Sequence, residues 1–397
     1  MIPPRKVPGR PDPFSERTGW DLTPNTLARE RAALEARGLP LLDLTLSNPT
    51  QAGFRYPEDL LAPLADPAGL RYEPQPRGWL PARQAVASLY AAKGKGVDPE
   101  RILLTASTSE AYAHLFRLLA DPGDQILVPR PSYPLFGYLA DLAGVEIVSY
   151  PLRSVAGGRW RIDPARLEEA VTPRSRAVVV VHPNNPTGSC LDTEELRRVG
   201  ALCRRRGLAL IADEVFAEYR FSAGPSIPPT LLGGSDALTF ALGGLSKLLG
   251  LPQMKLGWIA VSGPPGEADP ALERLELIAD TFLSVNTPVQ RAFPGWLRFA
   301  PVLQGQILER VKENRRFLEG NLPPGWRLLP SDGGWSAVLK IPGVTDDEAW
   351  ALSLLKRRQV LVHPGYLFDF EEPGMAVVSL LPPAALFREG IRKCAIE

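Results

Sequence analysis

The feature that most restricts the fold of this chain is a rhythm that begins near Leu103, in which short apolar runs alternate with longer segments of helical pattern. The runs are rich in β-branched and aliphatic residues, which is typical of strands buried on both faces, and the helical spacers indicate crossover connections. The pattern predicts an α/β fold with a mostly parallel seven-stranded sheet flanked by helices. The predicted strands are ILLTAS, DQILVPRP, VEIVSYPL, AVVVVHP, LALIADEVF, ALTFALGG and KLGWIAVSG.

Two of the spacers carry the signals that begin and end helices. The segment SEAYAHLFRLLADPGD has serine at its start and a Pro-Gly pair at its end. The segment DTEELRRVGALCRRRG opens with acidic residues and closes on arginines and a glycine, which suits the helix dipole. We therefore expect both spacers to be helices that cross from one strand to the next.

The pattern changes near Asn286, where a long helical segment begins, and Pro294 predicts a break in it. Short strands follow around GWSAVLKI and MAVVSLL. The chain has 397 residues, more than the roughly 250–300 at which a single core stops growing. We therefore expect an N-terminal arm and helix packing on the small domain in residues 1–45, a large domain in residues 46–285 and a smaller α+β domain in residues 286–397.

Composition argues against several classes of protein. The formal net charge is +1, so no overall basic field indicates a nucleic-acid or membrane partner. The three cysteines form no CxxC pair and the three histidines are far apart, so neither a disulfide scaffold nor a structural metal site is expected. The N-terminus lacks the apolar core of a signal peptide, and no stretch approaches the roughly 18 apolar residues of a membrane span. We expect a soluble, cytoplasmic protein.

Polar side chains follow several of the predicted strands, and in an open α/β sheet ligands bind beyond the carboxyl ends of the strands. Ser107, Thr108 and Ser109 come after the first strand, where the hydroxyls and free N–H groups of a helix start can hold a phosphate. Plain capping of the helix is an equally good interpretation of these residues. Tyr133, after the second strand, could stack on a flat ring or simply cover the core.

Three further strand ends carry an amide, a carboxylate and an amine. Asn185 lies in an Asn-Pro-Thr-Gly turn, which leaves its amide free to bond. Asp213 ends an apolar run, and a carboxylate buried there needs a partner such as a protonated ring nitrogen. Lys247 is one of only nine lysines among 45 basic residues, and a lysine, unlike an arginine, can lose its proton and attack a carbonyl. Together these strand ends indicate a site for pyridoxal phosphate.

The motifs NNPTG, ADEVF, LSK and KLGW occur in the order and at the approximate spacing found in the class I/II aminotransferases of fold type I, a family that the chain resembles over most of its length. The resemblance implies that Lys247 forms a Schiff base with pyridoxal phosphate and moves a proton between the substrate α-carbon and the cofactor C4′ atom. It also implies that Asp213 keeps the pyridine nitrogen protonated. Asn185 would bond the O3′ oxygen, and Tyr133 would stack on the ring.

The resemblance extends to the phosphate, the substrate and a second subunit. The residues expected at the phosphate are Ser107, Thr108, Ser109 and Lys255, and Ser246 is expected among the cofactor-binding residues. Phe216 is expected beside the cofactor. Tyr72, in YEPQPRG, matches a tyrosine that reaches the phosphate of the neighbouring subunit, so the resemblance implies a homodimer with shared active sites. The residues expected near an amino-acid or 2-oxo-acid substrate are Ser47, Asn48, Arg130, Trp335 and Tyr366.

Three positions near the expected cofactor depart from the family's pattern. Lys255 stands where the family usually has an arginine that grips the phosphate, so the charge is kept and the bidentate fork is lost. Gly244 replaces a frequent serine, which removes a hydroxyl from the phosphate. Phe216 replaces a tyrosine that donates to O3′.

A further departure concerns the substrate. On the C-terminal strand MAVVSLL, Val377 or Val378 stands where the family usually has an arginine that pairs with the substrate α-carboxylate. An apolar side chain cannot pair a carboxylate. Either another cation does so, with Arg130 and Arg291 as candidates, or the substrate has no carboxylate there.

Three functions are weighed on this sequence. The first is transfer of an amino group between an amino acid and a 2-oxo acid with ping-pong kinetics. The second is another reaction of pyridoxal phosphate at the α-carbon, as in a lyase, decarboxylase or racemase, which the missing arginine makes more credible. The third is a binding or regulatory protein without turnover. The presence of Lys247, Asp213 and Asn185 argues against it, as does the short arm before the domain, which leaves no room for a DNA-binding module.

Overall fold

The computed structural model describes residues 13–154, 159–221 and 226–394, so much of the predicted N-terminal arm, residues 1–12, lies outside the described residues. The strands are β1 Leu42–Asp43, β2 Ile102–Thr105, β3 Gln125–Arg130, β4 Glu146–Ser154, β5 Trp160–Ile162, β6 Ser175–Val181, β7 Ala209–Asp213, β8 Thr239–Gly244, β9 Gly257–Ser262, β10 Arg327–Leu328, β11 Ser336–Lys340, β12 Val360–Leu361, β13 His363–Pro364 and β14 Met375–Ser379. The α-helices are α1 Thr26–Ala36, α2 Leu80–Ala92, α3 Thr108–Leu119, α4 Phe136–Ala143, α5 Pro164–Ala170, α6 Thr193–Arg206, α7 Leu245–Leu248, α8 Pro265–Phe282, α9 Thr287–Trp296, α10 Ala300–Asn321, α11 Asp347–Arg358 and α12 Ala384–Cys394.

The largest sheet has eight strands within the described residues, in the order β2-β9-β8-β7-β6-β3-β4-β5. The central strands β8, β7, β6, β3 and β4 pair in parallel, whereas β9 is antiparallel to both of its neighbours and β5 is antiparallel to β4. All seven predicted strands are present, and the prediction of a mostly parallel sheet flanked by helices is confirmed. The eighth strand, β5, escapes the sequence pattern because its three residues form no apolar run.

The side chains of β6 point alternately to the two faces of this sheet, as the period of a strand requires. Val179 packs on one face with α3, α4 and α8, through residues such as Phe116 and Leu275. Val178 and Val180 pack on the other face with α5 and α6. Full burial of an aliphatic side chain stabilises a fold by about 1.5–3 kcal/mol. Because both faces are covered, polar side chains can gather only at the edge where the strands end.

The helices follow the predicted boundaries closely. Asp192 caps α6 in a capping box with Glu195, three arginines occupy the last turn, and Gly207 follows in the left-handed conformation with φ 65°. The predicted break in the C-terminal helix is also confirmed, since α9 contains Pro294 and the 3-10 turn Leu297–Phe299 separates α9 from α10. In the described part of the chain, none of the helices combines the length and the apolar character needed to cross a lipid bilayer.

A second sheet has the order β10-β11-β14-β13, is antiparallel throughout, and contains the strands predicted around GWSAVLKI and MAVVSLL. β1 pairs in parallel with β12 and α1 packs against α11, so the N-terminal segment joins this part of the molecule. α9, in contrast, packs against the large sheet through Phe293. The division into residues 1–45, 46–285 and 286–397 stays a prediction.

Candidate active site

A cavity of about 290 Å³ opens at the carboxyl edge of the large sheet, where β6, β7 and β8 end. The N-terminus of α3, the short helix α7 and the start of β11 contribute its other walls. Most of the predicted site residues line this cavity. They are Ser47, Ser107, Thr108, Ser109, Tyr133, Asn185, Asp213, Phe216, Ser246, Lys247, Lys255 and Trp335.

Close packing between β8 and β9 places α7 beside the start of α3. A side chain at Gly243 would overlap the ring of Trp258, and a Cβ atom at Gly257 would lie 3.1 Å from the main chain of both Gly243 and Ser107. Glycine at both positions therefore permits this close approach. The consequence is that Lys247, on α7, faces the same cavity as the first turn of α3.

Lys247 is a largely buried lysine among aromatic rings. Its Nζ atom lies 5.7 Å from the ring centroids of both Phe216 and Trp335. Its main-chain carbonyl accepts a hydrogen bond of 2.7 Å from the hydroxyl of Tyr219, which fixes the turn that carries it. Burial lowers the pKa of the Lys247 amine, and the charge of Asp213 opposes that shift in part. A lysine with a lowered pKa is more often neutral and so more nucleophilic.

Asp213 ends β7 and is only 9% exposed. One carboxylate oxygen, Oδ1, accepts the main-chain N–H of Val215 at 3.0 Å, and Oδ2 accepts the hydroxyl of Tyr112 at 2.9 Å. Burial raises the pKa of Asp213, whereas these two hydrogen bonds and the charge of Lys247 lower it. A carboxylate in this position gains from a cationic partner in the cavity.

The first turn of α3 presents the N-terminal end of a helix to the cavity. Ser107 is the N-cap, and its hydroxyl accepts the N–H of Glu110 at 3.2 Å, so the capping interpretation of this residue is confirmed. The N–H groups of Thr108 and Ser109 begin the helix and have no intrahelical acceptor. Lys255 lines the same cavity from a left-handed backbone conformation with φ 51° and ψ 57°. Helix start, hydroxyls and ammonium group together suit a phosphate.

The two asparagines of the NNPTG turn differ in the groups that they contact. Asn184 is buried, and its amide donates to the carbonyl of Pro131 at 3.2 Å and to the hydroxyl of Thr187 at 2.9 Å, so it holds the turn together. Asn185 lines the cavity, and its Oδ1 atom accepts the hydroxyl of Ser336 at 3.4 Å. The role that the sequence predicts for its amide is a hydrogen bond to a ligand. That role stays a prediction.

Four predicted residues lie outside the lining of the cavity. Tyr72 is 68% exposed, and Asn48 caps the short helix that follows it. Arg130 donates through Nε to the carbonyl of Asp369 at 2.9 Å, and Tyr366 packs against a small apolar cluster of the C-terminal part. Their roles stay predictions, since each depends on contact with a substrate or a second subunit.

Val377 and Val378 are both buried in β14, and neither lines the cavity. Arg291 is paired with a carboxylate at 3.2 Å and lies outside the lining as well. Among the described residues, the cations of the lining are Lys247 and Lys255. The described lining therefore contains no guanidinium, and the other side-chain groups that could accept hydrogen bonds from or donate them to a ligand include hydroxyls, an amide and the carboxylate of Asp213.

Sequence patterns do not single out two polar residues of the lining, Tyr112 and Ser336. In the sequence Tyr112 reads as a core residue of an amphipathic helix. Its spacing of four from Thr108 is the signal that could have identified it, because residues four apart share a helix face. Ser336 directly follows Trp335 in β11. The apolar lining residues that the sequence patterns also leave out are Ala106, Leu135, Phe136, Leu139, Val181, Val215, Pro252 and Leu256.

Comparison with known proteins gives one consistent result. A family model described as aminotransferase class I and II matches residues 64–383, which contain every lining residue of the cavity except Ser47. Alanine aminotransferase of Mycobacterium tuberculosis strain H37Rv is 30% identical over 378 residues, which cover 88% of this chain and 84% of the relative. Glutamate-pyruvate aminotransferase AlaA of Escherichia coli K12 is 29% identical over 373 residues, which cover 89% of each chain. The structure of an alanine aminotransferase from Pyrococcus furiosus matches with a TM-score of 0.85 at 26% identity, over 92% of this chain and 94% of that one.

Proposed function

This chain belongs to the class I and II aminotransferases, and from that premise we propose that it transfers the amino group of alanine to a 2-oxo acid with pyridoxal phosphate as its cofactor. Membership of the family makes the chain an aminotransferase, which moves an amino group between an amino acid and a 2-oxo acid. A lyase, decarboxylase or racemase reaction is not favoured by these relatives. The observation that carries the proposal is a single cavity lined by Lys247, Asp213 and the N-terminus of α3.

The donor set of the cavity fits the three parts of pyridoxal phosphate. The phosphate fits the first N–H groups of α3 together with Lys255. The ring nitrogen fits Asp213, a buried carboxylate that gains from a cation. The aldehyde fits the amine of Lys247. When bound, the cofactor supplies a carbonyl that takes up the amino group and a ring that accepts the electron pair released at the substrate α-carbon.

Lys247 is suited to act both as nucleophile and as the group that moves the proton. Its lowered pKa makes the neutral amine more accessible, and a base works best when its pKa lies near the working pH. Tyr219 holds its main chain, and the rings of Phe216 and Trp335 lie beside its amine, each with its centroid 5.7 Å from Nζ. We propose that Lys247 takes the proton from the substrate α-carbon and delivers it to the cofactor C4′ atom.

Replacing Lys255 by glutamine is expected to raise the Kd for pyridoxal phosphate about tenfold, because a charge-assisted hydrogen bond to the phosphate is lost. Lys255→Arg keeps the charge and should stay close to the natural Kd. Fluorescence titration of the cofactor-free proteins measures both. Lys356→Gln is the matched control, since Lys356 is an exposed lysine outside the cavity lining. An unchanged Kd in Lys255→Gln would remove Lys255 from the phosphate site.

Alanine and pyruvate are proposed as one substrate pair. Support comes from the names of the relatives, which include alanine aminotransferase and glutamate-pyruvate aminotransferase. Support also comes from the cavity, whose described lining offers no arginine for a second carboxylate and has several apolar residues. The α-carboxylate would be received by the neutral donors Ser47, Asn185 and Ser336.

The test is to mix the cofactor-loaded protein with one amino acid at a time, without an oxo acid, and to record its near-ultraviolet and visible absorbance. Alanine should shift the absorbance of the bound cofactor to shorter wavelength, and pyruvate added afterwards should restore it. A spectrum that ignores alanine but responds to another donor would overturn the choice of substrate. A spectrum that persists while ammonia, carbon dioxide or D-alanine accumulates would overturn amino-group transfer.

A homodimer with shared active sites, located in the cytoplasm, completes the proposal. Tyr72 is 68% exposed and Leu70 is 92% exposed, so this segment is available to contact a second subunit. Cys190, Cys203 and Cys394 are free cysteines, which suits a reducing compartment. Light scattering during gel filtration gives the mass of the particle, and a monomer at assay concentration would contradict the dimer.

A further inference from the structure

Tyr112 is a buried tyrosine that the proposed reaction does not otherwise use. It lies on α3, is 4% exposed, and donates its hydroxyl to Oδ2 of Asp213 at 2.9 Å. Its ring is held by Phe136, with centroids 5.2 Å apart and planes at 79°, and by Phe116 at 5.9 Å. Packing of the ring therefore aims the hydroxyl at a single carboxylate oxygen.

Few titratable groups of the residues that the structure describes surround the Asp213 carboxylate, so the hydrogen bond from Tyr112 has a large share in its environment. The titratable side chains that face the carboxylate are Tyr112 on α3, Tyr133 before α4 and Lys247 on α7. His182, next to Asp213 across the sheet, uses its ring on main-chain groups elsewhere. Burial raises the pKa of Tyr112, and the charge of Asp213 raises it further, so the hydroxyl keeps its proton and acts only as a donor.

We propose that Tyr112 is a positioning residue that holds the Asp213 carboxylate, in its ionised form, at the ring nitrogen of pyridoxal phosphate. The inference rests on the proposed function, since it assumes that Asp213 meets this cofactor. Oδ1 of Asp213 takes its hydrogen bond from the main chain, which no side-chain substitution removes. Oδ2 takes its hydrogen bond from the hydroxyl of Tyr112. This side chain therefore determines how strongly the ionised form of the carboxylate is stabilised and how the carboxylate is oriented.

The experiment compares Tyr112→Phe with Tyr150→Phe by fluorescence titration of the cofactor-free proteins with pyridoxal phosphate. Tyr150 is the matched control because it is also a buried tyrosine of the large-sheet core, and its hydroxyl donates to the carbonyl of Val179 at 2.7 Å rather than to Asp213. Tyr112→Phe should raise the Kd about tenfold, and Tyr150→Phe should leave it within about twofold. Losing a donor to the ionised carboxylate should also move the pH below which the cofactor is released upwards by about one unit.

A double-mutant cycle with Asp213→Asn decides whether Tyr112 acts through Asp213. In that background, Tyr112→Phe should change the Kd by less than about twofold, because the charge that the hydroxyl serves is gone. A tenfold effect that persists there, or equal effects of Tyr112→Phe and Tyr150→Phe, would overturn the inference. If Tyr112→Phe fails to fold alone but folds in the double variant, the inference is supported. If neither folds, the role of Tyr112 is structural and the inference is overturned.

Binding of pyridoxal phosphate to the unsubstituted protein distinguishes failure of this inference from failure of the proposed function. If it binds no pyridoxal phosphate, the proposed function fails and the inference fails with it. If it binds the cofactor and Tyr112→Phe binds equally well at every pH, only the inference fails.

Discussion

Lys247→Ala is expected to lower the rate of amino-group transfer by about 10⁴-fold or more while the protein stays folded. The amine is the nucleophile and the proton-moving base of the proposed reaction, and loss of the proton transfer alone costs about 10²- to 10⁴-fold. The variant also lacks the covalent link to pyridoxal phosphate, so gel filtration should remove the cofactor more readily. Steady-state kinetics with alanine and an oxo acid, together with the cofactor content after gel filtration, measure the two effects.

Three matched measurements make this result specific. Lys247→Arg keeps a charge but supplies no neutral amine, so it should be as inactive as Lys247→Ala. A small primary amine such as methylamine should restore part of the activity of Lys247→Ala and none of that of Lys247→Arg. Lys356→Ala removes an exposed lysine whose nearest carboxylate, on Glu30, is 3.7 Å away, and should keep the natural rate. A Lys247→Ala protein within about tenfold of the natural rate would contradict the role of Lys247.

Asp213→Asn is expected to lower turnover by about 10²- to 10³-fold, because a neutral amide cannot keep a ring nitrogen protonated and its electrostatic support is lost. Glu214→Gln is the matched control. Glu214 is the next residue, and its carboxylate accepts the N–H of Leu231 at 2.6 Å and the hydroxyl of Thr230 at 2.8 Å, away from the cavity lining. Its replacement should leave turnover within a few-fold. Equal losses in the two variants would mean that Asp213 acts on the fold rather than on the cofactor.

Asp213→Asn should also stabilise the cofactor-free protein against unfolding at neutral pH. Burial raises the pKa of Asp213 above its value in the unfolded chain. Its contribution to stability is therefore fully present below the unfolded pKa and is lost as the pH rises through the folded pKa. Asp213→Asn avoids that loss, so the cofactor-free variant should unfold about 1 to 3 °C higher at pH 7, with the difference shrinking in acid. Thermal unfolding of the cofactor-free proteins at pH 7 and at pH 4 measures it, and a lower unfolding temperature for the variant at pH 7 would contradict it.

Local pattern was enough to predict the architecture. The valines of β6 and the aliphatic run of β7 are apolar on both faces, which only a covered sheet accommodates. The capping box of α6 and the proline of α9 are likewise local signals, because each affects only the helix residues close to it in the sequence. β5 is the exception, since Trp160–Ile162 is held by pairing with β4 rather than by its own pattern.

Strand order explains why so many candidate site residues could be predicted. Asn185, Asp213 and Lys247 follow the neighbouring strands β6, β7 and β8, and parallel strands bring their carboxyl ends to one edge. The motifs alone do not specify that Arg130 and Tyr366 lie outside the lining, because that depends on how the C-terminal part packs against the loops of the large sheet.

The sequence by itself determined the α/β fold and the edge of the sheet at which the cavity forms, since apolar period and strand ends are local properties. Only the tertiary structure decided which hydroxyls reach the polar groups of that cavity. Tyr112 and Asp213 are 101 positions apart, and Ser336 and Asn185 are 151 apart. Contacts at such separation are set by the packing of α3 and β11 against the large sheet, which no local period encodes.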